Sequence, residues 1–508
     1  MVQVIPLPRR VETTAGVFVF GEGTRIVLSD PEDEELRRLG ATCADMIRNT
    51  SALDLSPAND RTPSGSDIVT LRFVDGVAGG HEEGYRLAVT PRSVSLSANR
   101  PAGIYYGLQT LRQILTRDGA LAVTIEDAPR FSYRGMHLDV ARHFFPVAFV
   151  KKFIDLLALH KMNRFHWHLT DDQGWRIEIK SYPRLTEVGA LRKETMLEKN
   201  FDPYIGDGKP HGGFYTEDDV REVVAYARER YVTVIPEIEL PGHSLAALAA
   251  YPDLACTEGP FEVATRWGGF DDIYCPKEET FRFLEQVLAE VTQLFPGRWV
   301  HIGGDEVSKK RWKECGQAQA VIERLGLADE QQLQSYFIER IGAVLRSRGR
   351  VLIGWDEILS SDLAPDATVM SWRGTEHGIR AARAGHDVVM TPTSHCYFDY
   401  YQGEAAREPL AIGGFTPLEK VYAFEPVPEE LTTEAAAHIV GTQGNVWTEY
   451  MKTAGHVEYM ALPRMLALAE VAWSPKEARD WDGFARRVRA HLQLLDALDI
   501  NYRDPGTD

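Results

Sequence analysis

Two hydrophobic rhythms divide the chain. Over the first 128 residues, short apolar or alternating stretches at 17–20, 25–28, 68–73, 85–89 and 93–97 read as strands. Two segments follow the helical period instead. One is 34–50; the other, 101–115, sets Ile104, Leu108, Leu111 and Leu115 on one face. The Pro-, Ser- and Asp-rich stretch 56–66 reads as a surface loop, Arg117-Asp118-Gly119 as the end of the second helix, and 127–130 as a linker. This pattern predicts a small α/β domain over residues 1–128.

From Tyr133 onward, short apolar runs alternate with amphipathic segments. The runs fall at 135–139, 164–169, 233–238, 299–302, 351–355, 368–371, 387–390 and 440–446. Helical segments lie between them, at 146–160, 216–230, 278–294, 330–347 and 376–384. Eight strand–helix repeats predict an α/β fold whose second domain, 129–508, is a (β/α)8 TIM barrel. An open doubly wound sheet is the alternative, but no Gly-rich phosphate loop follows the first strand. The Gly- and Asp-rich segment 194–213 reads as an insertion covering the barrel mouth.

Composition narrows the partners. The chain has 508 residues, 44% of them hydrophobic, with 56 basic against 74 acidic side chains and a formal net charge of −18. That argues against nucleic acids and anionic membranes as partners, and favours neutral or cationic ligands. No apolar run approaches the ~20 residues needed to span a bilayer. The N-terminus lacks the basic region and apolar core of a leader, which favours a cytoplasmic protein over a secreted one whose leader has been removed. Five cysteines, at 43, 256, 275, 315 and 396, show no C-x-x-C spacing of zinc type. Cys256 and Cys275 flank one loop and could be bridged; reduced structural thiols are the simpler expectation.

Chemistry-bearing residues gather where the barrel strands end. His301-Ile302-Gly303-Gly304-Asp305-Glu306 delivers two adjacent carboxylates after a double glycine. Other strand ends carry Asp139 to His143, His166 to Asp172, Glu237 to His243, Trp355-Asp356-Glu357, Trp372, Tyr397 to Asp399, and Trp447 to Glu449. Trp355, Trp372 and Trp447 suit the apolar faces of a pyranose whose hydroxyls take hydrogen bonds. Trp267, Trp299, Trp312, Trp473 and Trp481 read as core or surface packing.

The adjacency of Asp305 and Glu306 constrains mechanism. Two-carboxylate glycosidases place their acids on opposite sides of the scissile bond, ~5–9.5 Å apart. Neighbouring residues approach from one side, so one acid can protonate the leaving oxygen while the other orients a group already on the substrate. A 2-acetamido carbonyl, attacking the anomeric carbon to form an oxazolinium ion, is the obvious candidate. Glu306 is expected to be protonated at working pH, because burial and the charge of Asp305 both raise its pKa. A competing reading is a metal-dependent barrel hydrolase using His166 and His168, which lie in phase on one strand. Histidines orienting neighbouring carboxylates are the simpler account of the pair. A non-catalytic sugar-binding barrel ranks third, since both acids are present.

These residues resemble the β-N-acetylhexosaminidases of glycoside hydrolase family 20. The resemblance rests on Arg134-Gly135 with Asp139 to Phe144, His166 to Arg176, Pro236 to His243, and His301 to Val307. It implies an exo-acting, retaining enzyme that removes terminal β-linked GlcNAc or GalNAc from oligosaccharides or glycoconjugates; lacto-N-biosidase-type specificity is the alternative within the family. It further implies Glu306 as general acid/base and Asp305 as the acetamido-orienting acid. Arg142 would hold sugar hydroxyls, and Trp355, Trp372 and Trp447 would line the acetamido pocket and sugar platform. Tyr397 would bond the acetamido carbonyl, Asp399 and Glu449 the ring hydroxyls, and Asp171 with His243 would support Glu306. No cofactor or metal is expected. The tail 499–508 is a candidate contact for a homodimer.

Overall fold

In the computed structural model, residues 2–55, 57–58, 67–117, 119–360 and 363–506 are described. Most of the expected 56–66 loop, and Asp118, lie outside them. The chain forms two compact units that do not follow a single cut after residue 128. The first comprises Met1–Arg134, Ala158–Met162 and Met465–Asn501; the second comprises Gly135–Leu157, Asn163–Arg464 and Tyr502–Asp508. A buried polar cluster ties the three pieces of the first unit together. Lys161 Nζ lies 3.1 Å from Asp127 Oδ2 and donates to Tyr85 OH, while Trp473 Nε1 donates to the same Asp127 oxygen at 2.9 Å.

The first unit is built on a mixed sheet. Its strands run in the order Arg10–Phe18, Gly119–Asp127, Tyr85–Thr90, Ser93–Ala98, Ile68–Phe73, Arg25–Leu28 and Pro57–Ala58. Two helices, Glu34–Ser51 and Pro101–Ile114, belong to this unit. The first is started by Asp33, whose side chain accepts from Leu36 N, with Glu34 and Glu35 complementing the helix dipole. The edge strand starts at Arg10 rather than at 17. Its residues are almost all exposed, so no apolar alternation marks it. The segment 127–130, read as a linker, begins with the last residue of the strand Gly119–Asp127.

Eight parallel strands close a barrel: β1 (Tyr133–Asp139), β2 (Arg164–His168), β3 (Thr233–Leu240), β4 (Trp299–Gly303), β5 (Val351–Trp355), β6 (Thr368–Ser371), β7 (Val388–Met390) and β8 (Ile439–Gly444). Connecting helices include Glu217–Arg228, Glu278–Leu294, Glu330–Ser347 and Glu376–Arg383. Thr216 and Asp219 form a capping box that starts the first of these. The expected insertion is an ordered hairpin, Met196–Phe201 against Tyr204–Gly206. Among the described residues, no helix is long and apolar enough to cross a membrane.

Candidate active site

Strand register builds the floor. Pairing sets Asp139 of β1 beside His168 of β2, His168 beside Glu237 of β3, and Glu237 beside His301 of β4. Glu237, fully buried, becomes the hub. Its Oε1 lies 2.8 Å from His301 Nδ1 and accepts from Trp355 Nε1 at 2.9 Å. Its Oε2 lies 3.0 Å from His166 Nε2 and pairs with His168 Nδ1. Burial alone would raise the Glu237 pKa, but His301, His168 and His166 hold it well below the usual carboxylate range. Burial disfavours a charged His168, yet Glu237 and Asp171 outweigh that and push it up to about 10. Burial takes His166 down to about 4.

This arrangement favours the orienting role of His166 and His168 over the metal reading. Both are fully buried beneath the cavity. His168 has each ring nitrogen against a carboxylate, and His166 Nδ1 pairs with Gln443 Nε2 at 3.0 Å. They orient Glu237 rather than presenting free ligand positions at the barrel mouth.

Above the floor, Asp171 links three side chains. Its Oδ2 lies 2.9 Å from both His168 Nε2 and Arg142 Nη2, and its Oδ1 lies 3.2 Å from His243 Nδ1. His243 Nε2 then faces both acids, 3.6 Å from Glu306 Oε2 and 3.8 Å from Asp305 Oδ2. Burial opposes the imidazolium of His243, but the charge and hydrogen bond of Asp171 hold its pKa well above the ordinary value.

The double glycine before the acids has a steric cause. Gly303 and Gly304 sit at φ 66° and 90°, a region that side chains rarely adopt. A Cβ on Gly303 would fall 1.7 Å from Glu239 Oε2, and one on Gly304 would fall 2.6 Å from Ile358 Cγ2. Glu306 and His243 both take φ 47° without being glycine. Such conformations cost of order 1–3 kcal/mol each and concentrate at functional sites.

The two acids are electrostatically unlike. Burial pushes Asp305 up to about 8, with Glu357 and Glu306 adding to the rise. Glu306 is half exposed, and the imidazolium of His243, 3.6 Å away, holds its pKa below the ordinary value. The expectation of a raised Glu306 therefore fails, because His243 outweighs burial.

Asp305 and Glu306 open into a cavity of about 430 Å³, a size suited to a small ligand. Arg142, His243, Trp372, Tyr397 and Trp447 also line it, as do Asp399 and Glu449. Trp372 and Tyr397 stack, with ring centroids 6.2 Å apart and planes at 24°. Trp372 is fixed by Nε1 donating to Glu357 Oε2 at 2.9 Å. The Arg142 guanidinium, 5.1 Å from the Trp447 ring centroid, is aimed by Asp171 and by Gln173 Oε1 at 2.9 Å. Three buried carboxylate oxygens here have no partner: Asp305 Oδ1, Asp399 Oδ1 and Glu449 Oε2. Burial raises the pKa of all three carboxyls, so each can accept or donate a hydrogen bond.

Two of the expected site residues sit behind the wall rather than on it. Asp171 and Trp355 are each only 1% exposed and act through their neighbours. Trp267, expected to be packing, instead lines the cavity beside Gly268, with Arg192 5.4 Å above its ring. Lys199 and Phe201, from the inserted hairpin, and Tyr450 also reach the cavity. Trp267, Lys199 and Phe201 carry no strand-end signal, whereas Tyr450 directly follows the Trp447 to Glu449 cluster. Glu237 and His301 did lie in the quoted motifs, where their in-phase strand positions were the available clue.

Comparison with known proteins agrees with this geometry. The catalytic-domain model of glycosyl hydrolase family 20 matches residues 131–476, and the domain 2 model of the same family matches residues 1–128. A β-hexosaminidase of Porphyromonas gingivalis is 46% identical over 99% of this chain, which spans 64% of that relative's length. A β-N-acetylhexosaminidase of Cellulomonas fimi is 34% identical, covering 99% of this chain and 96% of the relative. The solved GH20 exo-β-N-acetylglucosaminidase of Vibrio harveyi in complex with N-acetylglucosamine superposes with a TM-score of 0.88 at 33% identity, covering 100% of this chain and 79% of that one. The GH20 β-N-acetylhexosaminidase of Streptomyces coelicolor A3(2) gives 0.85 at 30% identity, with 99% and 98% covered. With both of its halves matched in order, the chain belongs to glycosyl hydrolase family 20.

Proposed function

We propose that the chain is an exo-acting, retaining β-N-acetylhexosaminidase that removes terminal non-reducing GlcNAc or GalNAc by substrate-assisted catalysis. The observation that carries this reading is the set of unpartnered carboxylate oxygens on Asp305, Asp399 and Glu449 within one aromatic-walled cavity. A terminal amino sugar brings an N–H for Asp305 and hydroxyls for Asp399 and Glu449. Arg142 takes further ring hydroxyls through its fork. Trp372 and Tyr397, with Trp447 and the buried Trp355 behind, enclose the acetamido group and press its carbonyl oxygen toward the anomeric carbon.

Asp305 and Glu306, both in reach of His243, share their titration as a coupled pair. Burial favours protonated Asp305, whereas the charge of His243 favours ionised Glu306. The substrate N–H favours ionised Asp305, and the glycosidic oxygen excludes water from Glu306, so binding moves the proton to Glu306. Glu306 then protonates the leaving oxygen as the acetamido oxygen attacks. Asp305 stabilises the positive oxazolinium, and Glu306 next deprotonates the water that opens it with overall retention.

A panel of chromogenic N-acetylglucosaminide, N-acetylgalactosaminide, glucoside and lacto-N-bioside, run with and without chelator, tests the assignment. Hydrolysis of the acetamido monosaccharides unaffected by chelation is expected. Equal turnover of the glucoside, or activity lost on exhaustive chelation, would contradict it.

A further inference from the structure

We propose that Cys256, Cys275 and Cys315 form a three-thiolate zinc site joining the loops that follow β3 and β4. The three sulfurs lie within 4.8 Å of one another, and Cys275 Sγ is 3.8 Å from Cys315 Sγ. Zinc–thiolate bonds of about 2.3 Å in a tetrahedral site set sulfurs about 3.8 Å apart. A disulfide needs two sulfurs at about 2.05 Å and leaves the third thiol unused. The sequence conceals the cluster, because a long loop separates Cys256 from Cys275, and the helix Glu278–Leu294 and strand β4 lie between Cys275 and Cys315.

The surrounding backbone is tied so that the thiols converge. Ala255 bridges Tyr274, and Cys275 N donates to Leu254 O at 2.8 Å. Trp312 Nε1 donates to Tyr274 O at 2.9 Å, and Arg311 Nε lies 2.8 Å from Asp272 Oδ1. Cys275 and Cys315 are buried while Cys256 is partly open to solvent, which leaves a path for the ion. Gln317 Oε1, 3.6 Å from Cys275 Sγ, or a water takes the fourth position. On binding, three S–H bonds are replaced by three Zn–S bonds and three protons pass to solvent. One tethered loop carries Trp267 and Gly268 of the cavity wall, and the other begins at Asp305-Glu306. The clasp therefore rigidifies the side of the mouth next to the acid pair.

The test uses full-length protein, reduced anaerobically and stripped of metal, titrated with zinc against a chromophoric chelator. One equivalent is expected to bind, with cobalt(II) in its place giving a thiolate charge-transfer band that zinc bleaches. Cys256→Ser should weaken zinc binding at least tenfold and abolish the zinc-dependent rise in thermal midpoint, while Cys43→Ser changes neither. Because the Cys256 side chain is partly exposed, its variant should keep the wild-type circular dichroism and zinc-free hydrolytic rate. Binding no tighter than to a Cys256/Cys275/Cys315 triple serine variant would overturn the site. So would a Cys256–Cys275 disulfide in protein isolated without reductant.

Discussion

Replacing Asp171 with asparagine tests how the acid pair is held. The carboxylate meets four donors: Arg142 Nη2 and His168 Nε2 on one oxygen, His243 Nδ1 and the Asp172 backbone N–H on the other. An amide keeps one oxygen and presents an NH2 in place of the other. Whichever way it turns, one pair of donors faces another donor. Each lost charge-assisted hydrogen bond is worth about 1.5–3 kcal/mol, which gives roughly 3–6 kcal/mol for two. That matches the ~3–5 kcal/mol typical of breaking a buried ion pair.

The pH dependence has a definite sign. Burial would raise Asp171, but Arg142 and His243 outweigh it and hold the pKa well below the ordinary value. The stability it contributes is thus complete above its unfolded pKa of about 3.9 and lost as pH falls toward the folded value. Denaturant unfolding should show Asp171→Asn less stable by about 3–5 kcal/mol at pH 7, with the difference shrinking below pH ~4. Loss of Asp171 also lowers His243, and with it the positive charge that depresses Glu306. The acidic limb of kcat/KM should therefore move to higher pH. A stability change under ~1 kcal/mol together with an unmoved acidic limb would refute the role given to Asp171.

Three further outcomes follow from the same geometry. Wild-type kcat/KM should fall above about pH 8, where burial no longer keeps the last proton on the Asp305–Glu306 pair; Asp305→Asn should lower kcat/KM about 10²–10³-fold and shift the residual alkaline limb downward, and an unshifted limb would remove Asp305 from the titrating pair. Arg142→Lys keeps the charge but not the fork, so kcat/KM should drop by about 1.5–3 kcal/mol of transition-state binding, measured by steady-state kinetics; wild-type kinetics would mean that the guanidinium does not touch substrate. Trp267→Ala should raise KM with little change in kcat, costing about 0.5–1.5 kcal/mol. An unchanged KM would place Trp267 in the wall without contact.

The barrel was legible because parallel strands buried on both faces leave continuous apolar runs, each followed by a helical period. The edge strand Arg10–Phe18 was not, since an exposed edge has no face to keep apolar. Asp305, Glu306, Arg142, Asp399 and Glu449 were readable because polar residues at strand ends stand out against the runs that deliver them. Trp267 and the Lys199–Phe201 hairpin arrive from long loops, whose path to the mouth no local pattern encodes. The low pKa direction of Glu306 was also hidden. It depends on His243, 63 positions away in sequence yet 3.6 Å from the carboxylate.

The central claim is that the substrate's own acetamido oxygen is the nucleophile. It is tested most directly by 4-nitrophenyl β-glycosides whose 2-acyl group runs from acetyl through mono-, di- and trifluoroacetyl. Fluorination leaves size nearly unchanged while withdrawing electrons from the carbonyl. If that oxygen attacks, kcat/KM falls steeply and monotonically along the series, and the 2-hydroxy glucoside falls off the line. A flat series would contradict the mechanism and return the role of nucleophile to a protein side chain.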